Sequence, residues 1–357
     1  MRNKEDMKEM LEYFQKKEEH LLNFDEEAIV SAYQKNNDNQ SLSIKILSIF
    51  GGILASFAFI GFLFIAGLYN SDIGLLVFGV IFIAGSIWIN KKYDRIIIDT
   101  VSVSSFIIGF ILIGFGLGQL NVNENILSMI FIIIAFSSLS IVQNYILSFV
   151  SVVIINGSIL TLIISNNAYN LIHLHVSVLA LTIVFLFLKE AKIITTSKTL
   201  SKLYNPIRIG LIFSLLSGLV FLGKRGILPV SPDYIWISSI IIIASIVYLI
   251  STLFNLLLIN EPRHKISIYI FTLLMLLPTA LSPAISGAIL IILLSFMVNY
   301  KTGLTIGIVS FIYFISQYYY DLNFTLLTKS ILLFLSGILF IGLYLFIHKK
   351  LKSNEKV

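Results

Sequence analysis

His173 and His175 stand two residues apart, just after Asn166, Asn167 and Asn170, and paired imidazoles are a possible metal site or proton-carrying group. Their spacing argues against a shared metal. On a helix, positions i and i+2 point about 200° apart, so both rings cannot ligate one ion without unwinding. Hydrogen-bonded histidines at a membrane boundary are the plainer expectation. A proton-sensing role is the alternative, and no intramembrane Asp or Glu is present to extend a relay.

A second constellation surrounds the run Pro278, Thr279, Ala280, Leu281, Ser282, Pro283, with Ser286 and Gly287 just beyond. Prolines that interrupt a helix at membrane depth free backbone carbonyls and amides, a means by which transporters build binding sites. On that reading Pro278, Thr279, Ser282, Pro283 and Ser286 form a candidate substrate region. The same prolines also fit an ordinary tight turn between two spans. All six prolines of the chain lie in its second half.

The third constellation is Gln317 to Ser330, which carries Tyr318, Tyr319, Tyr320, Asp321, Thr325 and Lys329. Clustered tyrosines fit an aromatic belt at a membrane boundary, with Lys329 snorkelling to the same level or pairing with Asp321. A site for a lipid headgroup or a partner is the alternative, with Tyr319, Tyr320, Asp321, Thr325 and Lys329 as its candidates. Tyr319, Tyr320, Leu322, Thr325, Leu326, Leu327, Lys329 and Ser330, followed by a final span bearing Gly337, resemble the carboxyl-terminal signature of a bacterial family of multipass membrane proteins catalogued as a domain of unknown function. The resemblance implies an architecture and a bacterial inner membrane. It supplies no substrate.

Glycines give no phosphate site. Gly114, Gly116 and Gly118 end a long apolar stretch with no Lys-Ser/Thr after them, so the phosphate-loop context is missing. Small residues four apart let helix backbones approach closely, which makes Gly114 with Gly118, and Gly303 with Gly307, candidate helix-packing faces. Catalysis in a membrane usually needs paired Asp, a Ser with a His, or a metal-binding cluster, and none stands at suitable spacing. No catalytic residue, metal site or cofactor is expected. The absence of cysteine removes disulfides, thiolate catalysis and Cys-ligated metal.

The elements that must position these residues are spans. Of the 357 residues, 57% are hydrophobic and 12% charged, with a mean hydropathy of +0.94. A soluble domain does not have this composition. A spanning helix needs roughly 20 apolar residues, which predicts an all-α polytopic bundle over residues 43–348 with about twelve spans, or ten to twelve. The first six lie near Ile46 to Tyr69, Ile73 to Ile89, Ile97 to Leu117, Ile126 to Val142, Tyr145 to Ile164 and Leu171 to Leu188. The second six lie near Ile207 to Leu222, Tyr234 to Leu258, Ile266 to Leu281, Ala284 to Val298, Leu304 to Ser316 and Ser330 to Ile347. Ile126 to Ile164 and Ile266 to Tyr300 run on with little interruption. Helices of those lengths would be roughly 58 and 52 Å long against a hydrocarbon core of about 30 Å, so each must be a hairpin. The predicted turns are Gln143–Asn144 and Pro278–Pro283.

Basic residues set the orientation, because short cytoplasmic loops accumulate Lys and Arg. With the amino terminus inside, the inner loops hold Lys91, Lys92, Arg95, Lys189, Lys192, Lys198, Lys202, Arg208, Arg263, Lys265 and Lys301, and the tail at 349–357 adds Lys349, Lys350, Lys352 and Lys356. The outer loops hold Lys224, Arg225 and Lys329. Both termini are therefore expected in the cytoplasm of a cell membrane. The net charge of +6 is an orientation signal rather than a nucleic-acid surface, since its residues form no stripe. Residues 1–42 are the one soluble piece, a cytoplasmic tail of two short helices with Met7, Met10, Leu11 and Phe14 on one face and Ile29 with Tyr33 on another, ending in a polar linker. No removable signal peptide is expected. Three functions remain open, an intramembrane enzyme being the last of them. The first is a non-enzymatic component that assembles with a membrane or cytoplasmic protein partner, and the second is a transporter of a neutral or lipidic substrate with its site near 278–287.

Overall fold

The computed structural model describes residues 42–92, 96–224, 226–256, 261–322 and 325–331, with 334–335, 337–338 and 341–342 beyond. Among these residues there are helices and turns and no strand, and the chain is an all-α membrane bundle. The expected helices of the amino-terminal tail, the tail at 349–357 and much of the twelfth span lie outside the described residues. The helices are α1 (Leu42–Ile65), α2 (Asp72–Lys92), α3 (Ile96–Gln119), α4 (Glu124–Ile141), α5 (Tyr145–Ser165), α6 (Leu171–Leu188), α7 (Glu190–Thr196), α8 (Lys198–Gly223), α9 (Ile235–Leu256), α10 (Pro262–Leu276), α11 (Pro283–Met297) and α12 (Lys301–Asp321). Eight helices among the described residues are long and apolar enough to cross a membrane, while α11 and the Phe50–Ile65 part of α1 are shorter apolar helices.

The helices break at both expected turns. Between α4 and α5 the Asn144 side-chain oxygen accepts from the Ile146 backbone N–H at 2.9 Å, which caps the new helix where the apolar run alone gave no break. Between α10 and α11 a 3₁₀ turn over Leu277–Leu281 and a non-helical Ser282 interrupt the chain, and Pro283 opens α11 at a position where its missing N–H costs nothing.

Internal contacts divide the chain into two compact units. The first holds α1, α2 and α3 with Ser138–Leu147. In lipid there is no hydrophobic drive between helices, so close packing and interhelical hydrogen bonds must hold them together. Here both come from small residues. A Cβ on Gly79 would lie 2.6 Å from Ile113 Cγ1, and one on Gly109 would lie 2.5 Å from Ile83 Cγ1, so α2 and α3 cross backbone to backbone. Buried serines add links: Ser102 Oγ donates to the Ser86 carbonyl of α2 at 2.8 Å, and Ser104 Oγ to the Gly52 carbonyl of α1 at 3.1 Å. Gly118, one of the expected packing positions, has nothing within 4 Å of its Cβ position, and Gly116 is the residue that meets α2, at Leu76. Gly114 is half-buried.

The second unit holds Glu124–Ser137 of α4, Ser148 onward of α5, and all the helices that follow. Within it α6 is flanked by α8 and α9, and α11 packs on α8, α9 and α12. Gly303 and Gly307 do sit at a close crossing: a Cβ on Gly307 would lie 2.8 Å from Ile292 Cγ1 of α11, and Gly303 meets Ser295. One boundary differs from expectation. The seventh span was expected to start at Ile207, but α8 starts at Lys198, because Ser197 is extended and its Oγ accepts from Leu200 N at 3.1 Å as an N-cap. Pro206 and Arg208, expected before or at the edge of a span, therefore lie inside a helix and are buried.

Candidate functional site

One end of the second unit holds a pocket of about 450 Å³. Its wall is built from the first turn of α6, the last turn of α8, the loop from Lys224 to Pro232, the start of α9, the broken segment before α11 and the end of α12. Small residues bring these elements together. A Cβ on Gly218 would lie 2.7 Å from Val176 of α6, one on Gly287 would lie 2.5 Å from Leu219, and one on Gly223 would lie 2.9 Å from Ala284 Cβ. The loop is held in place where Asn170 Oδ1 accepts from Ser231 N at 3.1 Å, and Ser231 caps the turn Pro232–Tyr234 through Asp233 N at 3.3 Å.

Two of the regions singled out in the sequence meet here, since Leu281 and Ser282 from the proline run face Tyr318 and Asp321 from the tyrosine segment across the same cavity. Asp321 Oδ1 accepts from Gln317 Nε2 at 3.0 Å, one turn back on α12. His173 also lines the pocket, and Lys224 stands at its edge. His173 is fully buried, with its Nδ1 2.8 Å from Ser238 Oγ and its Nε2 lacking any hydrogen-bond partner. An unpaired buried polar atom costs about 1–3 kcal/mol. His175 Nε2 is unpartnered as well, and among the described residues no group of His, Asp and Glu is arranged to hold a metal.

Other expected site residues serve the backbone. Thr279 Oγ1 donates to the Leu276 carbonyl at 2.7 Å and Ser286 Oγ to the Pro283 carbonyl at 3.1 Å, so both hydroxyls close the ends of the broken helix. Pro278 and Pro283 shape that break. Tyr319, Tyr320, Thr325 and Lys329 form a cluster of their own. Tyr319 and Tyr320 meet edge to face at 5.8 Å, and Thr325 Oγ1 caps the following helix by accepting from Thr328 N at 3.3 Å. Lys329 does not take Asp321 as its partner: its Nζ donates to the Tyr320 carbonyl at 3.3 Å and lies 5.2 Å from the centre of the Tyr319 ring. Asp321 is turned instead toward Gln317 by their i, i+4 spacing.

A second constellation lies at the other end of the unit and was not read from the sequence. Arg208 is 5% exposed, with its guanidinium carbon 3.7, 4.9 and 5.3 Å from the ring centres of Tyr300, Tyr204 and Phe187. Its terminal nitrogens donate to Glu190 Oε1 at 3.1 Å and Asn205 Oδ1 at 2.7 Å. The charge thus gains a carboxylate and three rings in exchange for its water. Burial raises the Tyr300 pKa from its ordinary 10.0, and the neighbouring Arg208 charge opposes that rise. These residues tie α6, α7, α8 and the turn before α12 into one block.

A family model described as a domain of unknown function (DUF4401) matches residues 41–350. The chain belongs to the DUF4401 family. No curated protein and no solved structure matches it. The DUF4401 region takes in both constellations and every described helix. What sequence reasoning missed in it was the company each residue keeps: His173 was noted without Ser238, 65 positions away, and Arg208 was counted with the loops although Tyr300 lies 92 positions on. A hydrophobicity scan carries no signal for either pairing.

Among the described residues, the contact between His173 and Ser238 sets an imidazole beside a hydroxyl at 2.8 Å. Ser238 is fully buried, and the other ring nitrogen has no carboxylate or carbonyl to orient it.

Proposed function

We propose that this DUF4401 chain is a non-enzymatic membrane protein that binds and translocates a small neutral amphipathic ligand, taken up in the pocket between His173, Lys224, Ser282 and Asp321. The observation that carries the reading is that convergence: a broken helix, an enclosed polar group and a cavity of about 450 Å³ occur together. Ligand sites commonly span 300–1,000 Å³ and pair an apolar wall with a few convergent polar groups. The break before α11 is the kind of discontinuity on which transporters build such sites.

The same proposal places the chain in a bacterial cell membrane with both termini in the cytoplasm. The basic residues support it. Lys189, Lys192, Lys198 and Lys202 gather at the Arg208 end of the second unit, and the pocket end, with Lys224, would face outward. Reconstitution into liposomes tests the transport reading. Wild-type protein should accumulate at least one neutral compound from a cell extract, read by mass spectrometry of the vesicle lumen, and Ser282→Trp should not. Equal accumulation by the two, or none by either, would remove the translocation claim.

The assembly reading turns on Gly118, which, like Gly85 and Gly157, has nothing within 4 Å of its Cβ position. A protein partner on that face would make Gly118→Leu lose a complex while leaving the isolated chain intact.

A further inference from the structure

We infer that the second unit carries a lipid site, a groove between α6 and α9 that takes an acyl chain of an anionic phospholipid and sets the lipid's phosphate on Lys189. The groove is separate from the pocket at Ser282 and does not depend on it. α6 and α9 run side by side in the same direction, since His173 meets Ser238 near their starts while Leu188 and Thr252 line the groove near their ends. The space between them is about 510 Å³. Its wall repeats at helical spacing, with Leu181, Phe185 and Leu188 from α6 facing Ile241 and Tyr248 from α9. Ala244 stands one turn from Ile241 and one from Tyr248 on the same face, and its small side chain leaves a recess where a larger one would close the gap. Phe185 and Tyr248 are exposed, which inside a membrane span means contact with lipid tails. α10 leaves the groove open. Its Tyr269 packs on Phe254 with ring centres 5.1 Å apart, and Phe254 stands about 200° round α9 from Thr252.

Length and charge identify the occupant. Leu181 lies ~12 Å along α6 from Lys189, at ~1.5 Å per residue, so the groove descends most of one leaflet of a hydrocarbon core about 30 Å thick. Lys189 supplies the charge of the wall and stands at one end of it, exposed. Among the described residues no carboxylate lines the groove, and the adjacent Glu190 is taken by Arg208 at 3.1 Å. A phosphate above an apolar slot therefore meets an ammonium that no protein carboxylate neutralises. Basic positions between spans at a membrane boundary favour anionic headgroups in this way. A zwitterionic headgroup brings its own cation and gains less. A second copy of this chain fits poorly, because two-fold partners in one membrane share an axis along its normal and would set Lys189 against Lys189 at the same depth.

Phosphatidylglycerol and phosphatidylcholine with the same two oleoyl chains differ at the headgroup. Native mass spectrometry of the full-length protein, stripped of lipid in mild detergent and titrated with each, tests the inference. The wild type should take its first phosphatidylglycerol about fivefold more tightly than its first phosphatidylcholine, the effect of one lysine near an anionic headgroup. Lys189→Gln should bring that ratio to about one. Lys301→Gln removes an equal charge from an exposed position at the same end, next to Tyr300 of the Arg208 cluster, and should leave the ratio unchanged. Ala244→Trp fills the recess from an exposed position and should lose the tight first lipid, while the lipid-free protein melts as the wild type does. Equal affinities in the wild type, an equal loss in Lys301→Gln, or tight phosphatidylglycerol binding by Ala244→Trp would overturn the site. A wild-type dimer that Ala244→Trp splits into monomers would overturn it as well, by making a second copy the occupant.

Discussion

Truncating Arg208 to Ala would leave Glu190 without its cation and three rings facing a void. Breaking a buried pair by removing one member typically costs about 3–5 kcal/mol. Arg208→Ala should therefore lower the thermal midpoint in detergent more than any loop substitution does, and Arg208→Lys should recover only part of the loss, because an ammonium cannot span Glu190 and Asn205 as the guanidinium fork does. Tyr300 adds a pH dependence at the same place. Burial raises its pKa above 10.0, so the folded state holds the phenolic proton more firmly than the unfolded state does. That contribution is complete below pH 10 and is lost as the pH rises through the folded-state value. Melting curves should be flat in this respect from pH 6 to 9, and Tyr300→Phe should lessen a decline seen only under alkaline conditions, with the buried Tyr204 phenol beside the same guanidinium left in place. None of this was legible in the sequence. A lone Arg beside Pro206 looks like a loop residue, and ring contacts across 92 positions leave no local pattern.

Elements were far more legible. Span length alone required the hairpins at Gln143–Asn144 and Pro278–Pro283, since no bilayer accommodates the unbroken alternatives. The start of α8 was not legible, because the polar stretch before Ile207 hides a helix capped by Ser197. Glycine faces were half legible. Spacing identified Gly303 and Gly307, which the α11–α12 crossing uses, but spacing cannot tell which side of a helix has a neighbour, and α3 meets α2 through Gly109 and Gly116 rather than Gly118. The difference can be measured. Gly109→Ala forces a methyl group against Ile83 and should cost about 1–3 kcal/mol, the usual range for overpacking, whereas Gly118→Ala meets open space and should leave the melting temperature of the isolated chain unchanged.

At the scale of the molecule, composition identified a helical membrane protein without ambiguity, whereas the proposed function depends on a cavity assembled from four separated stretches of chain. Composition is additive along a sequence, and a cavity is not. The proposed orientation can be tested directly because the chain has no cysteine, so a single introduced thiol is the sole reporter. A membrane-impermeant maleimide should modify Lys224→Cys on intact cells and Lys192→Cys only after permeabilisation; the reverse pattern would invert the topology and turn the pocket inward. The central claim is that the pocket at Ser282 holds a small ligand, and native mass spectrometry of the mildly solubilised protein tests it most directly. The wild type should carry a discrete small-molecule adduct that Ser282→Trp lacks, with both proteins eluting as the same monodisperse species. Identical adduct spectra for the two would contradict the account.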